Sequence, residues 1–447
     1  MKLNVKNIDK LTIGDLLNEE FDCECGRKHS VYIDKVIIDN GAIDELPQLL
    51  REFKLESPFI VADKNTYEVA GSRVERMLSA SNINVRSLIY KREHDLVPDE
   101  RALGEFMLNY DRSRDVIIAV GSGVICDIAK YMSFSLGIPS IAIATAPSMD
   151  GYASDCSAFI IDDIKRSIQS SPPKVIIGDV DILKDAPMDM ILAGLGDMLG
   201  KYSALRDWKL GNIILNEYYC DVVSKLVKTS VDKCVSEIEG YKERDELAIE
   251  HLMEGLVLVG IAMSFVGNSR PASGAEHHIS HLWEMMFLIE GKEPVFHGTK
   301  VGIGTILVNR LAEKLIDSNL NFDILKEEAK YFDEQKWCED IKRLYKKTAP
   351  EIIALNKKPY DILIEERLDR LERIEDNWDS IVETINKVPK SQRIECFLNE
   401  AGAPTSPQDI GIDNNIIKDT IIYAKEVRQR YTILRLLWDM GLLDKIE

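Results

Sequence analysis

Positive charge is scarce in this chain. Its 56 lysine and arginine side chains face 75 acidic ones, for a net charge of −19 over 447 residues. A surface of that sign argues against nucleic acid or an anionic membrane as partner. It leaves room for an anionic small molecule, which needs only a local positive pocket. Long apolar runs are scarce too. No uncharged stretch reaches the roughly 18 to 20 residues that cross a bilayer. The start, Met1 to Asn7, shows no apolar core followed by a cleavage site, so no secretory signal is expected. The eight cysteines are scattered, which suits a reducing, cytoplasmic setting better than a disulfide scaffold. No HExxH order is present, so the zinc-protease reading gains nothing.

What is present begins with length. A chain of 447 residues exceeds one ordinary core, and two or three domains are the natural division. From Ile37 to Ala144, short β-branched runs alternate with helical segments. Strands are expected at Phe59–Ala62, Val85–Tyr90, Val116–Val120 and Ser140–Ala144, with helices at Thr66–Ala80, Asp99–Tyr110 and Val124–Leu136. Apolar strands without alternation, separated by helices, predict a parallel sheet covered on both faces, a doubly wound Rossmann-like α/β domain. Beyond about residue 185 the period becomes helical, from Met188 to Ile316, and strands are hard to find. The chain therefore divides near Pro147–Tyr152, into an α/β domain at 1–150 and an all-α helical bundle at 151–447. The charged run within 357–388 reads as a solvated helix face.

Histidine is rare, with seven in all, yet four of them fall between positions 277 and 297. His277 and His281 are four apart and share one face of a helix. His297 follows one short helix and a turn later. Glycine-flanked Asp197 adds a carboxylate, and a divalent ion such as zinc accepts this mixture while leaving a position open for substrate. Cys23, Cys25 and His29 offer three further soft ligands, one short of a closed structural site. They read as a reduced turn before a strand at Val31–Ile33, with a structural zinc as the alternative. Gly121-Ser122-Gly123 sits where a strand meets a helix, so its backbone can approach a pyrophosphate at a helix N-terminus. A plain tight turn is the competing reading, since the spacing is not GxGxxG. Asp63 ends an earlier strand, where it either bonds the ribose hydroxyls of NAD or caps the helix at Thr66. The loop Thr145 to Gly151 follows another strand end.

Together these segments resemble the dehydroquinate synthase and iron-containing alcohol dehydrogenase superfamily. The resemblance rests on Gly121-Ser122-Gly123 with Asp127 and Lys130, on Thr145-Ala-Pro-Ser-Met-Asp-Gly151, and on the set Asp197, His277 and His297. Three phrases are specific to the glycerol-1-phosphate dehydrogenases in their bacterial form: residues 145–151, Arg270 to His277 and Arg428 to Leu434. The likeness spans nearly the whole chain and is weakest over about 325–395.

The resemblance implies a dehydroquinate synthase-like fold with an active site between sheet domain and helical domain. It implies reversible reduction of dihydroxyacetone phosphate to sn-glycerol 1-phosphate by NADH or NADPH, in phospholipid metabolism. One divalent metal, zinc or nickel, would be held by Asp197, His277 and His297. Asp150 would face the substrate, His281 would handle the proton, and Lys201, with Arg270, would meet the phosphate. Asp63, Gly121, Ser122, Gly123, Asp127, Thr145 and Ser148 would line the cofactor. His278 has no counterpart and reads as structural. Glu276 would orient His277, although a helix-surface carboxylate is the commoner case. A cytoplasmic homo-oligomer, a dimer, is expected. Two related chemistries compete: a carbocycle-forming lyase of the dehydroquinate synthase type, and a glycerol dehydrogenase acting on unphosphorylated glycerol. The lyases usually carry glutamate where this chain has Asp197. A non-catalytic nucleotide sensor on the same fold is the remaining class.

Overall fold

The computed structural model describes residues 8, 11–92, 96–161 and 164–445. The start read for a secretory signal, Met1 to Asn7, lies outside the described residues. The described strands are β1 (Glu20–Asp22), β2 (Lys28–Ser30), β3 (Lys35–Asp39), β4 (Pro58–Asp63), β5 (Arg86–Tyr90), β6 (Val116–Gly121), β7 (Ser140–Ala144), β8 (Cys156–Ile161), β9 (Ile164–Gln169) and β10 (Val175–Asp179). Six form one sheet in the order β3-β10-β7-β6-β4-β5, with every pair parallel. Each residue of β6, β7 and β10 is buried. That burial on both faces is why their sequences run apolar without alternation.

The chain passes from β4 to β5 on one side of β4 and then returns to β6 on the other. This reversal makes a crevice at the carboxyl ends of β4 and β6, the place where open α/β sheets bind ligands. Asp63 and Gly121 both stand two residues beyond the register pair Val61↔Ala119. They therefore flank that crevice at one level.

The chain forms two compact units: Met1–Met198 with Val222–Ser269, and Leu199–Asp221 with Arg270–Glu447. The division expected at residue 150 falls inside the first. The reason is β10, which pairs with both β3 and β7 and so completes the sheet from a segment assigned to the helical half. The antiparallel pair β8 and β9 also lies beyond residue 150. Among the described residues no strand follows Asp179, and long helices begin at Met188.

Of the described helices, only Glu246–Val266 is long and apolar enough to cross a membrane by length and composition, and 72% of its most apolar window is buried in the fold. Leu252, Met253, Leu256 and Val257 have no exposed surface, as expected of a core helix in the first unit.

The second unit is built on the helices Met188–Leu215 (from Leu199 onward), Ala275–Glu290 and His297–Asp317. Trp283, Ile279, Leu282, Ile303 and Val308 share its core with Ile433, Leu434, Leu436 and Leu437 of the helix Ile433–Asp439. Burying each such side chain contributes ~1.5–3 kcal/mol, so the C-terminal helix is anchored within its own unit. The charged helix Tyr360–Asp376 is less solvated than its composition suggests. Arg367 is buried and donates to the backbone oxygens of Trp438 and Asp439, while Arg370 forms a fork on the Asp439 carboxylate. Arg367 thus caps carbonyls at the end of the last helix, and Arg370 holds the carboxylate of its final residue.

Candidate metal and cofactor sites

In the second unit, three imidazoles converge. His277 and His281 lie one turn apart on the helix Ala275–Glu290, with ring centroids 6.1 Å apart. His297 opens the next helix, and its ring lies 5.0 Å from His277 and 5.5 Å from His281. His277 and His281 are buried and His297 is half-buried. Glu284 adds a carboxylate whose oxygen lies within 4.8 Å of ligand atoms of His281 and His297.

The orientation of His277 is set from behind. Its Nδ1 is 2.7 Å from Oε1 of Glu276, and an ionised carboxylate can only accept, so Nδ1 carries the proton and Nε2 presents a lone pair. Glu276 is fully buried, not on a helix surface, and also accepts from the Gly274 amide at 2.6 Å and the Ser203 hydroxyl at 2.8 Å. Burial pushes its carboxyl above the usual range, opposed by those hydrogen bonds. Space around this residue is tight: a Cβ on Gly200 would meet Val301 at 2.5 Å, and one on Gly304 would meet the backbone oxygen of Glu276 at 2.9 Å. Here glycine permits close helix approach rather than an unusual turn.

Asp207 is a buried residue that sequence reasoning missed. Its two oxygens accept from the amides of Ala275, at 2.8 Å, and Ile433, at 3.2 Å, and so tie down two helix N-termini. Burial raises its carboxyl, and neighbouring Arg206 lowers it. His278 is fully buried, with neither ring nitrogen partnered among the described residues. Burial first, and then Arg428 and Arg430, keep it neutral, in keeping with a structural role.

Two basic residues were expected at the substrate phosphate. Lys201 is fully buried and donates to the Ala272 oxygen at 3.3 Å. Arg270 is committed elsewhere: it pairs with both oxygens of Glu217 and donates to the backbone oxygen of Tyr431 at 2.9 Å. Its guanidinium is therefore a clasp between segments far apart in sequence, which corrects the phosphate role read for it.

In the first unit, Gly121 ends β6 and the helix Gly123–Leu136 starts two residues later. A Cβ on Gly121 would stand 2.6 Å from that of Ile125, so only glycine lets this helix fold back so closely. Asp63 uses Oδ1 to accept from the Thr66 amide at 2.8 Å, the helix-cap role weighed for it. Asp127 accepts from the Ala158 amide and lies 3.4 Å from Lys130. Lys130 in turn donates to the oxygens of Gly151 and Cys156 and to the Ser154 hydroxyl. This pair braces the loop after β7. Thr145 and Ser148 are buried in that loop, and the Thr145 amide donates to the Gly121 oxygen at 3.2 Å. The loop presses on the helix Met188–Leu215, where a Cβ on Gly194 would collide with the Pro147 oxygen at 1.9 Å. One turn further along, buried Asp197 accepts from the Asp150 amide at 3.2 Å.

A sequence model for iron-containing alcohol dehydrogenases matches residues 37–187. A glycerol-1-phosphate dehydrogenase (NAD(P)+) from Geobacillus thermodenitrificans is 31% identical over 436 residues, covering 97% of this chain and 99% of the relative. Its counterpart from Halalkalibacterium halodurans is 33% identical over 416 residues, covering 92% of this chain and 94% of the relative. Among solved structures, an alcohol dehydrogenase from Oenococcus oeni superposes with a TM-score of 0.60 at 14% identity, covering 93% of this chain and 99% of that one. At that identity the likeness speaks for the fold alone.

Proposed function

Because the chain belongs to the glycerol-1-phosphate dehydrogenase family within the iron-containing alcohol dehydrogenases, we propose that it reversibly reduces dihydroxyacetone phosphate to sn-glycerol 1-phosphate with NADH or NADPH. The observation that carries the reading is the cluster of His277, His281 and His297, with the His277 ring oriented by Glu276 through Nδ1. Clustered imidazoles are a donor set suited to zinc or nickel, and Asp197 is the carboxylate proposed to complete it with His277 and His297. When bound, a divalent cation there supplies Lewis acidity toward a carbonyl oxygen.

The remaining roles fall to the chain itself. The Gly121-Ser122-Gly123 turn, with the helix N-terminus behind it, receives the cofactor pyrophosphate. Thr145 and Ser148 line the same crevice, and Asp127 supports it through the loop. Asp63 bonds the ribose hydroxyls with the oxygen its cap leaves available, which favours NADH by repelling a 2′-phosphate. Asp150 orients the triose, and Lys201 supplies positive charge for its phosphate. His281 moves the proton between the substrate oxygen and solvent. The enzyme is proposed to act as a cytoplasmic homodimer feeding phospholipid synthesis.

The test is NADH consumption with dihydroxyacetone phosphate, dihydroxyacetone or a heptulosonate phosphate. Net consumption with the phosphorylated triose alone supports the proposal. Consumption with dihydroxyacetone alone assigns a glycerol dehydrogenase, turnover of the heptulosonate without net consumption assigns the lyase, and silence with all three refutes a catalytic role.

A further inference from the structure

The hairpin formed by β1 and β2 is too short to hold itself. Each strand has three residues, and an isolated two-stranded hairpin is marginal even when longer. Its turn is Cys23-Glu24-Cys25-Gly26, closed by the Gly26 amide on the Cys23 oxygen at 3.0 Å, with Gly26 at φ +83°. The strand at Val31–Ile33 expected after this turn is absent, and the pairing strand is β2, which carries His29. Cys23 and His29 are buried and Cys25 is half-buried.

His29 has a fixed tautomer. Its Nδ1 lies 2.7 Å from the backbone oxygen of Phe265, in the last turn of the helix Glu246–Val266. A carbonyl only accepts, so Nδ1 carries the proton and Nε2 carries the lone pair. That nitrogen is 3.4 Å from Sγ of Cys25, and one ligand atom from each of Cys23, Cys25 and His29 lies within 4.8 Å of the other two. Two ligands at about 2.3 Å (sulfur) and about 2.0 Å (nitrogen) from a tetrahedral ion stand about 3.5 Å apart. The observed separation matches that edge. The imidazole is also wedged between Phe21 and Phe265, with centroids at 5.3 and 5.7 Å, so its position does not depend on the ion.

We propose that Cys23, Cys25 and His29 are ligands of a structural zinc that staples this hairpin, separate from the histidine cluster of the second unit. A closed structural site takes four ligands, so one further donor completes it. Each thiol releases its proton to solvent as the ion binds.

Cobalt(II) distinguishes this site from the other, because the proposed catalytic set contains no sulfur. Cobalt-loaded full-length protein is expected to show thiolate-to-cobalt charge-transfer absorption. That band should persist in His277→Ala/His297→Ala and vanish in Cys23→Ser/Cys25→Ser, which should also retain one zinc equivalent fewer. Single serine replacements at the remaining cysteines identify any fourth thiolate. Should the double serine variant not fold, alkylation of the unmutated protein decides the matter. Zinc should slow modification of Cys23 and Cys25 by about tenfold or more relative to chelator-treated protein. Absence of the charge-transfer band, its survival in the double serine variant, or alkylation indifferent to zinc would each overturn the proposal, whatever the enzyme's activity.

Discussion

Oε1 of Glu276 stands 2.7 Å from Nδ1 of His277, its immediate neighbour in sequence, and the carboxylate has no exposed surface. A buried acid next to a metal-binding imidazole raises the basicity of the far nitrogen and fixes the ring plane. Glu276→Gln keeps the volume but offers an amide in place of a pure acceptor, so the ring loses its partner or changes tautomer. Metal retention is expected to weaken ~10–100-fold, measured by competition with a chromophoric chelator. Unchanged affinity would reduce Glu276 to a packing residue.

Removing the ring itself separates the two ligands. His277→Ala is expected to abolish metal retention and turnover while NADH still quenches protein fluorescence with its original dissociation constant. The cofactor contacts proposed for the first unit do not include this histidine. A variant that stays active without metal would refute the ligand assignment.

Asp63 carries two proposed roles, which different substitutions separate. Asp63→Ala removes both the ribose contact and the Thr66 cap, so it should relax discrimination against NADPH and cost ~0.5–2 kcal/mol in stability. Asp63→Ser retains a capping oxygen and removes the charge, so it should relax discrimination with little loss of stability. The ratio of kcat/KM for the two cofactors, beside urea unfolding, reads each effect. If neither variant moves that ratio, Asp63 is a cap only.

Gly121→Ala tests why glycine follows β6. The added methyl would sit 2.6 Å from Cβ of Ile125, forcing the helix Gly123–Leu136 away from the sheet. Overpacking of this kind costs ~1–3 kcal/mol, and the displaced helix N-terminus should weaken NADH binding as well. Loss of stability with intact NADH affinity would assign the glycine to packing alone.

The sheet was largely legible because its strands are short apolar runs between helical periods, a pattern that burial on both faces imposes on the sequence. The histidine cluster was legible from the four-residue spacing of His277 and His281. Other features depend on contacts that no local pattern carries. Glu276 reads like any first-turn carboxylate until its burial is known, and Arg270 reads like a free cation until Tyr431, 161 residues away, is found to accept from it. Arg367 and Arg370 lie in a charged run that resembles a solvated face, yet both serve the end of the last helix. The strand β10 carries the same apolar signal as its neighbours. It was missed because a domain break was placed ahead of it.

The buried pair Lys425 and Glu426 predicts a pH dependence on the alkaline side. Both side chains are nearly inaccessible and in contact, with Arg435 3.6 Å from Glu426 and Trp337 donating to it. Burial pushes the Lys425 amine down from 10.5 to about 8, and Glu426 only partly offsets this. Between those two values the unfolded chain holds a proton that the native one has released, so stability contributed by this group rises with pH. Below about 8 both states are charged, and the native state bears the full cost of burying the ammonium group. At about 1.4 kcal/mol per unit, the swing is a few kcal/mol. Lys425→Met removes the titration, while leaving Glu426 less well compensated at every pH. Wild type should therefore gain stability relative to the variant between pH 7.5 and 9.5 in denaturant titrations. A gap that stays constant across that range, or narrows, would show that Lys425 keeps its proton in the folded protein.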